Sequence, residues 1–258
     1  MIKSVRRGLK WFGIFAGLAI AVFLLILGIL TNPGLFFPEE KQYGAITVYS
    51  ELPIGGEIDS VMAEVFERLD AVPIYDRDRN FNVCICSTQS KFSFFSRLKR
   101  GPTRIMGFNV WGNCYVNGDL LRELAVKTGG RPKYMARGGS IVHIITHELM
   151  HGYLSDAYGI IASRRLPEWK SEGYCEYGVN HFVAPRDSGY TIGERIDVFR
   201  DDVQWNEIAS THRGHYIWGL MMEYLINVKG MNLEQVMADS VTLQDVYNEI
   251  MAWHENSK

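Results

Sequence analysis

The amino-acid sequence predicts an α+β protein with one apolar helix at its N-terminal end. An uninterrupted apolar run occupies residues 11–30, and segments rich in β-branched and aromatic residues lie between residues 44 and 110. From about residue 140 the hydrophobic pattern becomes helical. Strands followed by helices are typical of the α+β class, in which a sheet and a group of helices occupy separate parts of one domain.

Residues 11–30, WFGIFAGLAIAVFLLILGIL, carry no charge and are long enough as a helix to cross the roughly 30 Å hydrocarbon core of a membrane. Cations precede this run, and no anion does: Lys3, Arg6, Arg7 and Lys10. Because Lys and Arg favour the cytoplasmic side, the pattern predicts a cytoplasmic N-terminus (1–10), a transmembrane helix (11–30) and an extracytoplasmic remainder. We therefore expect a single-pass protein of the cell membrane.

A cleaved signal peptide is the alternative to this anchor. Signal peptides have an apolar region of roughly 7–15 residues followed by a small-x-small cleavage site. The run here is longer, and GILTNPGLFF offers no Ala-x-Ala. The length of the run and the missing Ala-x-Ala favour a retained anchor over a cleaved signal peptide. A juxtamembrane linker with Pro33, Gly34 and Pro38 then covers 31–42, and a folded domain covers 43–258.

The elements of this domain follow from local patterns and turn residues. Strands are predicted over 44–50, 81–87 and 103–110, with a further strand-like run at Cys114 and an amphipathic helix over 57–70. For KFSFFSRLKR (91–100), a hairpin or loop in the core is favoured over contact with lipid headgroups. Helices are predicted from a capping Ser140 to near Gly159, from Pro167 onward, and over the later segments up to the C-terminus.

The charge balance excludes one class of partner. Acidic residues (29) outnumber Lys and Arg (27), and several of those cations precede the apolar run, so the domain itself is acidic. A nucleic-acid-binding protein would normally show a basic patch or stripe. We expect no nucleic-acid partner.

The four cysteines are Cys84, Cys86, Cys114 and Cys175. None forms a Cys-x-x-Cys pair, so neither a zinc ribbon nor a thioredoxin-type motif is indicated. Cys84 and Cys86 would lie on one face of a strand, because strand side chains repeat every two residues. A disulfide from Cys114 to one of them and a set of buried free thiols are both compatible with the sequence.

The stretch HIITHELMHG (143–152) carries the order His-Glu-x-x-His at His147, Glu148 and His151. On a helix, positions i and i+4 share a face, so His147 and His151 can present two imidazoles to one metal ion. Glu148 is one position round the helix and can take a proton from water on the open side of the metal. A catalytic zinc site needs a third protein ligand.

The next helix supplies candidates for that ligand. LPEWKSEGYCEY places Glu168, Glu172 and Glu176 at successive i+4 positions. Glu168 lies in the first turn, where a carboxylate simply favours the helix N-terminus. Glu172 is followed by Gly173, which lets a neighbouring helix come close, so Glu172 is the expected ligand. Glu176, one turn further, is expected to contact the outer nitrogen of a ligating histidine.

HELMH, followed after 20 residues by EGYCEY, resembles the gluzincin branch of zinc metallopeptidases, which includes thermolysin. LPEWKSEGYCEY and HYIWGLMMEYLINVKG are similar to the small peptidase-MA-like proteins of this clan, and the resemblance covers residues 140–180 and extends toward 235. It implies a zincin-like domain that binds one Zn²⁺ through His147, His151 and Glu172, with Glu148 as the general base. It also implies a sheet whose edge strand lines the substrate cleft.

The resemblance also bears on the remaining site residues and on the substrate. Gluzincins add a His or Tyr from a later helix that stabilises the oxyanion, and of His215 and Tyr216 the latter matches the pattern better. Cys175 stands where alanine is expected; a thiol near zinc could be inhibitory or inert packing, and packing is favoured. His143, four residues before His147, is expected outside the ligand set, either behind a ligand or at the surface. An endopeptidase acting on peptides or proteins is favoured, because a Gly-x-Met-Glu-Asn aminopeptidase motif is missing. The alternative is an inactive zincin-fold module that binds or scaffolds at the membrane.

Overall fold

The computed structural model describes residues 2–99, 101, 105–118, 141–180, 191–208 and 213–257. Within these residues five strands form one mixed sheet: β1 (Glu39–Tyr43), β2 (Ile46–Ser50), β3 (Phe81–Cys86), β4 (Gly107–Val110) and β5 (Asn113–Asn117). The helices are α1 (Ile2–Thr31), α2 (Gly56–Leu69), α3 (Gln89–Leu98), α4 (Ile141–Tyr158), α5 (Ile160–Ser163), α6 (Glu168–Asn180), α7 (Ile192–Arg200), α8 (Asp202–Ile208), α9 (Arg213–Glu223), α10 (Leu233–Met237) and α11 (Leu243–Asn256).

The strand order of the sheet is β1-β2-β3-β5-β4. β2, β3 and β5 run parallel in the centre, and β1 and β4 lie antiparallel at the two edges. α2 connects β2 to β3, and α3 follows β3 before the hairpin of β4 and β5. The predicted α+β class is therefore confirmed, with the five described strands in the N-terminal half and most of the described helices after them.

One face of the sheet, the helical face, packs against α2 and α4 through aliphatic side chains. Val83 of β3 and Val116 of β5 are fully buried in the same cluster as Leu69 of α2 and Leu149 of α4. Because strand side chains alternate, the residues between them point to the other face. The later helices α6, α7 and α9 complete the helical layer, with α6 packed on both α4 and α9.

The opposite face, the aromatic face, is covered by α3 and by stacked rings. Tyr115 of β5 has ring-centroid distances of 4.6 Å to Phe95 and 5.0 Å to Phe108. Phe92 packs edge-on against Phe108 at 5.4 Å. Offset and edge-to-face contacts of this kind add to the stabilisation that comes from burying the rings.

The last turn of α1 is part of the aromatic face. Leu30 is 1% exposed, and its carbonyl oxygen accepts hydrogen bonds from Nδ2 of Asn113 (2.8 Å) and the hydroxyl of Tyr115 (3.1 Å). The final carbonyls of a helix have no partner within the helix, so these two side chains of β5 satisfy one that would otherwise be unpaired. Ile26 and Ile29 pack against the same cluster.

Residues 31–42 are packed rather than forming the expected linker. Pro33 begins a 3₁₀ turn (Pro33–Leu35) and is buried, and Phe37 stacks on Phe95 at 5.7 Å. Glu39 already belongs to β1. Burial of Phe37 and partial burial of Phe36 favour this packing over a free tether. The folded unit thus includes the end of α1 and does not begin at residue 43.

Residues 91–100, expected to form a hairpin or loop, lie mostly in α3. The hydroxyl oxygen of Thr88 caps this helix by accepting a hydrogen bond from the backbone N–H of Lys91 (3.3 Å). Phe92 and Phe95 are three residues apart and therefore share the buried face of the helix. The cap and this spacing outweigh the preference of aromatic residues for strands.

The four cysteines are free and buried. Cys114 pairs in register with Val83, so it lies on the helical face, whereas Cys84 and Cys86 point to the aromatic face. A bridge from Cys114 to either of them would have to pass through the sheet. Of the two alternatives, the structure therefore shows the free thiols.

The two helices that carry the metal-site pattern begin and end close to their predicted positions. α4 covers Ile141–Tyr158, and the predicted cap Ser140 lies outside the described residues. α6 begins at Glu168, directly after Pro167. The predicted helix at 215–230 is α9, which continues into a π-helical turn (Tyr224–Val228).

Candidate metal centre

Three histidines follow one face of α4 at successive i+4 positions: His143, His147 and His151. The ring centroids of neighbouring histidines are 6.1 Å and 5.0 Å apart. α4 is buried around most of its circumference, as expected of a helix held between a sheet and other helices. Imidazoles in such a position need polar partners, because an unpaired buried polar group is costly.

Glu172 of α6 meets two of these histidines with one oxygen. Its Oε2 lies 3.1 Å from Nε2 of His147 and 3.4 Å from Nε2 of His151. Three donor atoms from two helices therefore converge between α4 and α6. The structure brings together the three residues that the sequence predicts as metal ligands.

The outer nitrogens of the same two imidazoles lie close to side chains on the next turn of α6. Nδ1 of His147 lies 3.2 Å from Oε1 of Glu176, and Nδ1 of His151 lies 3.4 Å from Sγ of Cys175. Positions 172, 175 and 176 share one helix face, so a single helix contacts both nitrogens of both rings. Such outer contacts fix the orientation and tautomer of a ligating histidine. Glu176 thus lies where the sequence predicts it.

The buried charges of this cluster stabilise one another. Burial alone would raise the pKa of Glu172, but the hydrogen bonds with His147 and His151 hold it well below its usual range. Burial likewise opposes ionisation of Glu176, and the charges of His143 and His147 outweigh it and lower the pKa. Burial opposes protonation of His147, yet the hydrogen bonds it makes to Glu172 and Glu176 raise its pKa. Both carboxylates are therefore ionised, as metal binding requires, whereas a metal ion would have to displace the proton that the raised pKa keeps on His147.

Glu148 lies between α4 and the edge strand β4. It is buried, and Gly107 of β4 passes directly over it: a methyl group at Gly107 would lie 3.1 Å from Oε1 of Glu148 and 2.7 Å from Cγ2 of Ile144. A side chain at position 107 would force the strand away from α4. The close approach brings the backbone of an edge strand alongside the carboxylate and the convergent donor atoms.

His215 reaches the cluster from α9. Its Nδ1 is 4.0 Å from Oε2 of Glu172 and 4.0 Å from Oε1 of Glu176, and its ring stacks parallel to His147 at 6.2 Å. The approach of α9 depends on Gly173, since a methyl group there would lie 2.8 Å from the carbonyl oxygen of Trp218. The prediction that Gly173 allows a neighbouring helix to come close is confirmed.

Tyr216 is not brought to the cluster. Its hydroxyl donates a hydrogen bond to the carbonyl oxygen of Arg195 (2.9 Å), and its ring packs against Trp205 at 5.2 Å. The residue is buried on the side of α9 away from Glu172 because adjacent helical positions point about 100° apart. Of the two candidates from this helix, His215 is the one at the site. Glu168 lies exposed in the first turn of α6, consistent with its interpretation as a helix-terminus carboxylate.

The structure decides between the alternatives that the sequence leaves open for His143 and Cys175, and it adds Lys99 as a charged residue near the site. His143 is buried, and its Nε2 lies 3.3 Å from Oε1 of Glu176; its i−4 spacing from His147 was the available signal. Cys175 contacts His151 in addition to filling space. Lys99 at the end of α3 lies with Nζ 4.9 Å from the ring of Phe108 in β4. Burial lowers the pKa of Lys99, and the negative charges of Glu148 and Glu172 oppose that effect. No sequence pattern pointed to Lys99.

These donor atoms can hold a metal ion. Among the described residues, two overlapping groups have donor atoms within 4.8 Å of one another: His147 with His151 and Cys175, and His143 with His147 and Glu176. A metal ion bound by the first group would displace the contact of Nδ1 of His151 with Cys175. A metal ion bound by the second group would displace the contact of Nδ1 of His147 with Glu176. The set predicted from the sequence, His147, His151 and Glu172, is not one of these two groups, although Oε2 of Glu172 lies 3.1 Å and 3.4 Å from the two Nε2 atoms. A metal ion bound there would leave both Nδ1 contacts in place.

Comparison with known proteins adds no relationship. No protein-family model matches the chain, and no curated protein matches it in sequence. The function has to be inferred from the site.

Proposed function

We propose that this protein is a membrane-anchored zinc peptidase of the gluzincin type. The observation that carries the proposal is the convergence of His147 and His151, through Nε2, on one oxygen of Glu172 with Glu148 beside them. Two imidazoles and one carboxylate are a ligand set used by catalytic zinc sites, which keep a fourth position open. The sequence resemblance to gluzincins agrees with this set.

Two of the three distances between ligand atoms are close to those of a zinc site. Bonds of about 2.0–2.1 Å in a tetrahedral arrangement separate two ligand atoms by about 3.3–3.4 Å. Oε2 of Glu172 lies 3.1 Å from Nε2 of His147 and 3.4 Å from Nε2 of His151. A zinc ion held there by these three side chains supplies a Lewis acid that lowers the pKa of water at its open position to about 7.

Glu148 supplies the base. Its carboxylate projects from α4 one position after His147 and takes the proton of the attacking water as the oxygen adds to the peptide carbonyl. The same carboxyl group then gives the proton to the leaving amine. Its buried position beside β4 limits competing solvent and keeps it aligned with a substrate that lies along this strand.

β4 provides a place for an extended substrate. It is the last strand in the order of the described sheet, and its outer edge has no strand partner among the described residues. An extended peptide can add to such an edge through backbone hydrogen bonds. This arrangement favours a substrate chain bound on both sides of the cleaved bond, hence an endopeptidase.

His215 is placed to stabilise the developing oxyanion. Its imidazole is the described side chain of α9 that lies beside Glu172, and it can donate a hydrogen bond to the tetrahedral oxygen. The role assigned to Tyr216 from the sequence therefore passes to His215.

The retained anchor is supported by packing. Cleavage between residues 31 and 40 would remove Leu30 from the aromatic face and leave Asn113 and Tyr115 without their acceptor. The helix is long and apolar enough to span a membrane over Trp11–Thr31. These contacts support retention of the helix, and the cations before it favour an N-terminus in the cytoplasm with the domain outside.

The decisive experiment measures metal and hydrolysis separately on the full chain. We expect about one zinc per chain and cleavage of a peptide library by the wild type. Glu148→Gln should keep the zinc and lose about 10²–10⁴-fold in kcat/KM, because an amide cannot accept the proton. Glu168→Gln, an exposed change on α6, is the matched control and should retain activity. Zinc binding without hydrolysis by the wild type would favour the inactive module. Full activity in Glu148→Gln would overturn the mechanism.

A further inference from the structure

The free part of α1 is shorter than a bilayer. Side chains from Trp11 to Leu25 are exposed apart from the partly covered Ala16, whereas Ile26–Leu30 are covered by the domain. At about 1.5 Å per residue the free part measures about 22 Å, roughly 8 Å less than a hydrocarbon core of about 30 Å. Lys10 limits the apolar stretch at the other end, because a charge avoids hydrocarbon. To span the hydrocarbon core, the packed end of the helix must itself lie within the membrane. The domain surface around this packed end then lies at the same depth in the membrane.

The surface beside this packed end is apolar. It consists of Leu35, Phe36, Phe94 and Leu98, which we call the apolar rim. Leu35 is 77% exposed and Phe94 is 45% exposed, although both are large apolar side chains. The rings of Phe36 and Phe94 are 6.3 Å apart, so the 3₁₀ turn and α3 present one continuous surface. α3 itself packs against α1.

A cation lies directly behind the rim. Nζ of Lys91 lies 4.6 Å from the ring centroid of Phe37 and donates a hydrogen bond to the carbonyl oxygen of Phe36. Nζ of Lys91 also lies 3.3 Å from Oε1 of Glu51, so a polar ion pair borders the apolar surface. Apolar side chains next to polar and charged groups match the boundary between the acyl chains and the headgroups of a leaflet.

We propose that the apolar rim inserts into the non-cytoplasmic leaflet to a depth of roughly 8 Å, at the boundary between acyl chains and headgroups. The domain is thus partly submerged rather than suspended above the membrane. Insertion supplies the hydrocarbon thickness that the free part of α1 lacks, without thinning the bilayer. This inference rests on the proposed retention of α1 and extends it by naming the lipid surface as a binding partner of the domain.

The test uses the full chain in phosphatidylcholine vesicles with a polarity-sensitive fluorophore attached at single introduced cysteines. The four native thiols are buried, so the label goes to the new position. Leu35→Cys and Phe94→Cys report on the rim. Val203→Cys is the matched control, because Val203 is an equally exposed apolar side chain (71%) on α8 in the helical layer. Leu35→Cys alone carries the test if Phe94→Cys fails to fold, since Leu35 has little buried surface to lose.

We expect the labels at 35 and 94 to be quenched by lipids brominated near the headgroup end of the acyl chain. Iodide in the water should quench them several-fold less than it quenches the label at 203. Equal access of iodide to all three labels would overturn the insertion of the rim.

Two further measurements distinguish a failure of this proposal from a failure of the proposed function. Extraction of the vesicles with alkaline carbonate tests the anchor: a protein that is released has lost the retained helix, and the insertion of the rim is then wrong with it. Zinc content and peptide hydrolysis of the same samples test the metal site. If iodide quenches the labels at 35 and 94 as strongly as the label at 203, while the protein stays anchored and active, only the insertion of the rim is contradicted.

Discussion

The two faces of the central sheet bury opposite kinds of chemistry. The helical face holds two carboxylates and three imidazoles in contact with one another. The aromatic face holds stacked rings, and its recorded polar contact with α1 is the pair of bonds from β5 to the carbonyl of Leu30. Burying charge is costly unless every group is matched, whereas burying rings is favourable wherever they fit. The comparison separates the face that carries the proposed metal site from the face that holds the N-terminal helix.

The largest expected effect is on the helical face. Glu172→Ala removes the oxygen that both Nε2 atoms face, so the chain should lose most of its zinc, and hydrolysis should fall with it. A chelator applied to the wild type should have the same effect, reversed by added zinc. Glu168→Ala, four residues earlier on the same helix, should keep both. Metal analysis of the two purified variants decides between them, and a full site in Glu172→Ala would mean that Cys175 or Glu176 is the third ligand.

The second effect separates neighbouring residues of α9. His215→Ala should lower kcat about 10²–10³-fold with KM little changed, because the lost hydrogen bond strengthens only in the transition state. Tyr216→Phe should leave kcat nearly unchanged and lower the free energy of unfolding by about 1 kcal/mol through loss of its bond to Arg195. Steady-state kinetics on both variants would show the reverse pattern if Tyr216 acted on the oxyanion.

The third effect belongs to the aromatic face. Leu30→Ala should lower the free energy of unfolding by about 2–3 kcal/mol, because it leaves a cavity beneath α3. Zinc content and kcat should stay as in the wild type. Val22→Ala, a change on the exposed part of α1, is the control and should be neutral in thermal unfolding measured in micelles. If Leu30→Ala lost activity at temperatures where it remains folded, the aromatic face would affect the metal site, contrary to the prediction.

The smallest effect sharpens the metal site itself. Glu176→Gln should weaken zinc binding about 10–100-fold, since it replaces the charged partner of Nδ1 of His147. Cys175→Ala should weaken it less, because a neutral thiol is a poorer partner for His151 than a carboxylate. Competition with a chelator of known affinity measures both. Cys84→Ala removes a thiol of equal size from the aromatic face and should leave zinc affinity unchanged.

The convergence of His147, His151 and Glu172 could be predicted because the spacing of these residues within each helix is local. His147 and His151 share a helix face by arithmetic, and the choice of Glu172 followed from the glycine after it. His215 could not be separated from Tyr216, because the sequence does not give the rotation of α9 about its axis; that rotation is fixed by packing at Gly173 and Arg195. The contact of Cys175 with His151 depended on the same kind of packing between helices.

Contacts between residues far apart in the sequence are the part of the fold that could not be predicted. The strands and helices were placed within a few residues, but the role of β1 and the end of α1 was missed. A linker was the natural interpretation of a segment with Pro33 and Pro38, and nothing local indicates that Phe37 is buried by a helix more than fifty residues later. The helix at α3 was missed because its aromatics resemble those of a strand, and the cap at Thr88 outweighed them.

The bonds to Leu30 also carry a consequence for the order of folding. They join residues 83 and 85 positions apart, whereas the contact of His147 with Glu172 spans 25 positions. Closing a longer loop costs more conformational entropy, so contacts between distant residues tend to form later. We therefore expect α4 and α6 to come together while α1 is still detached from the sheet. A folding chain would then assemble its metal ligands first and fasten itself to its own N-terminal helix last.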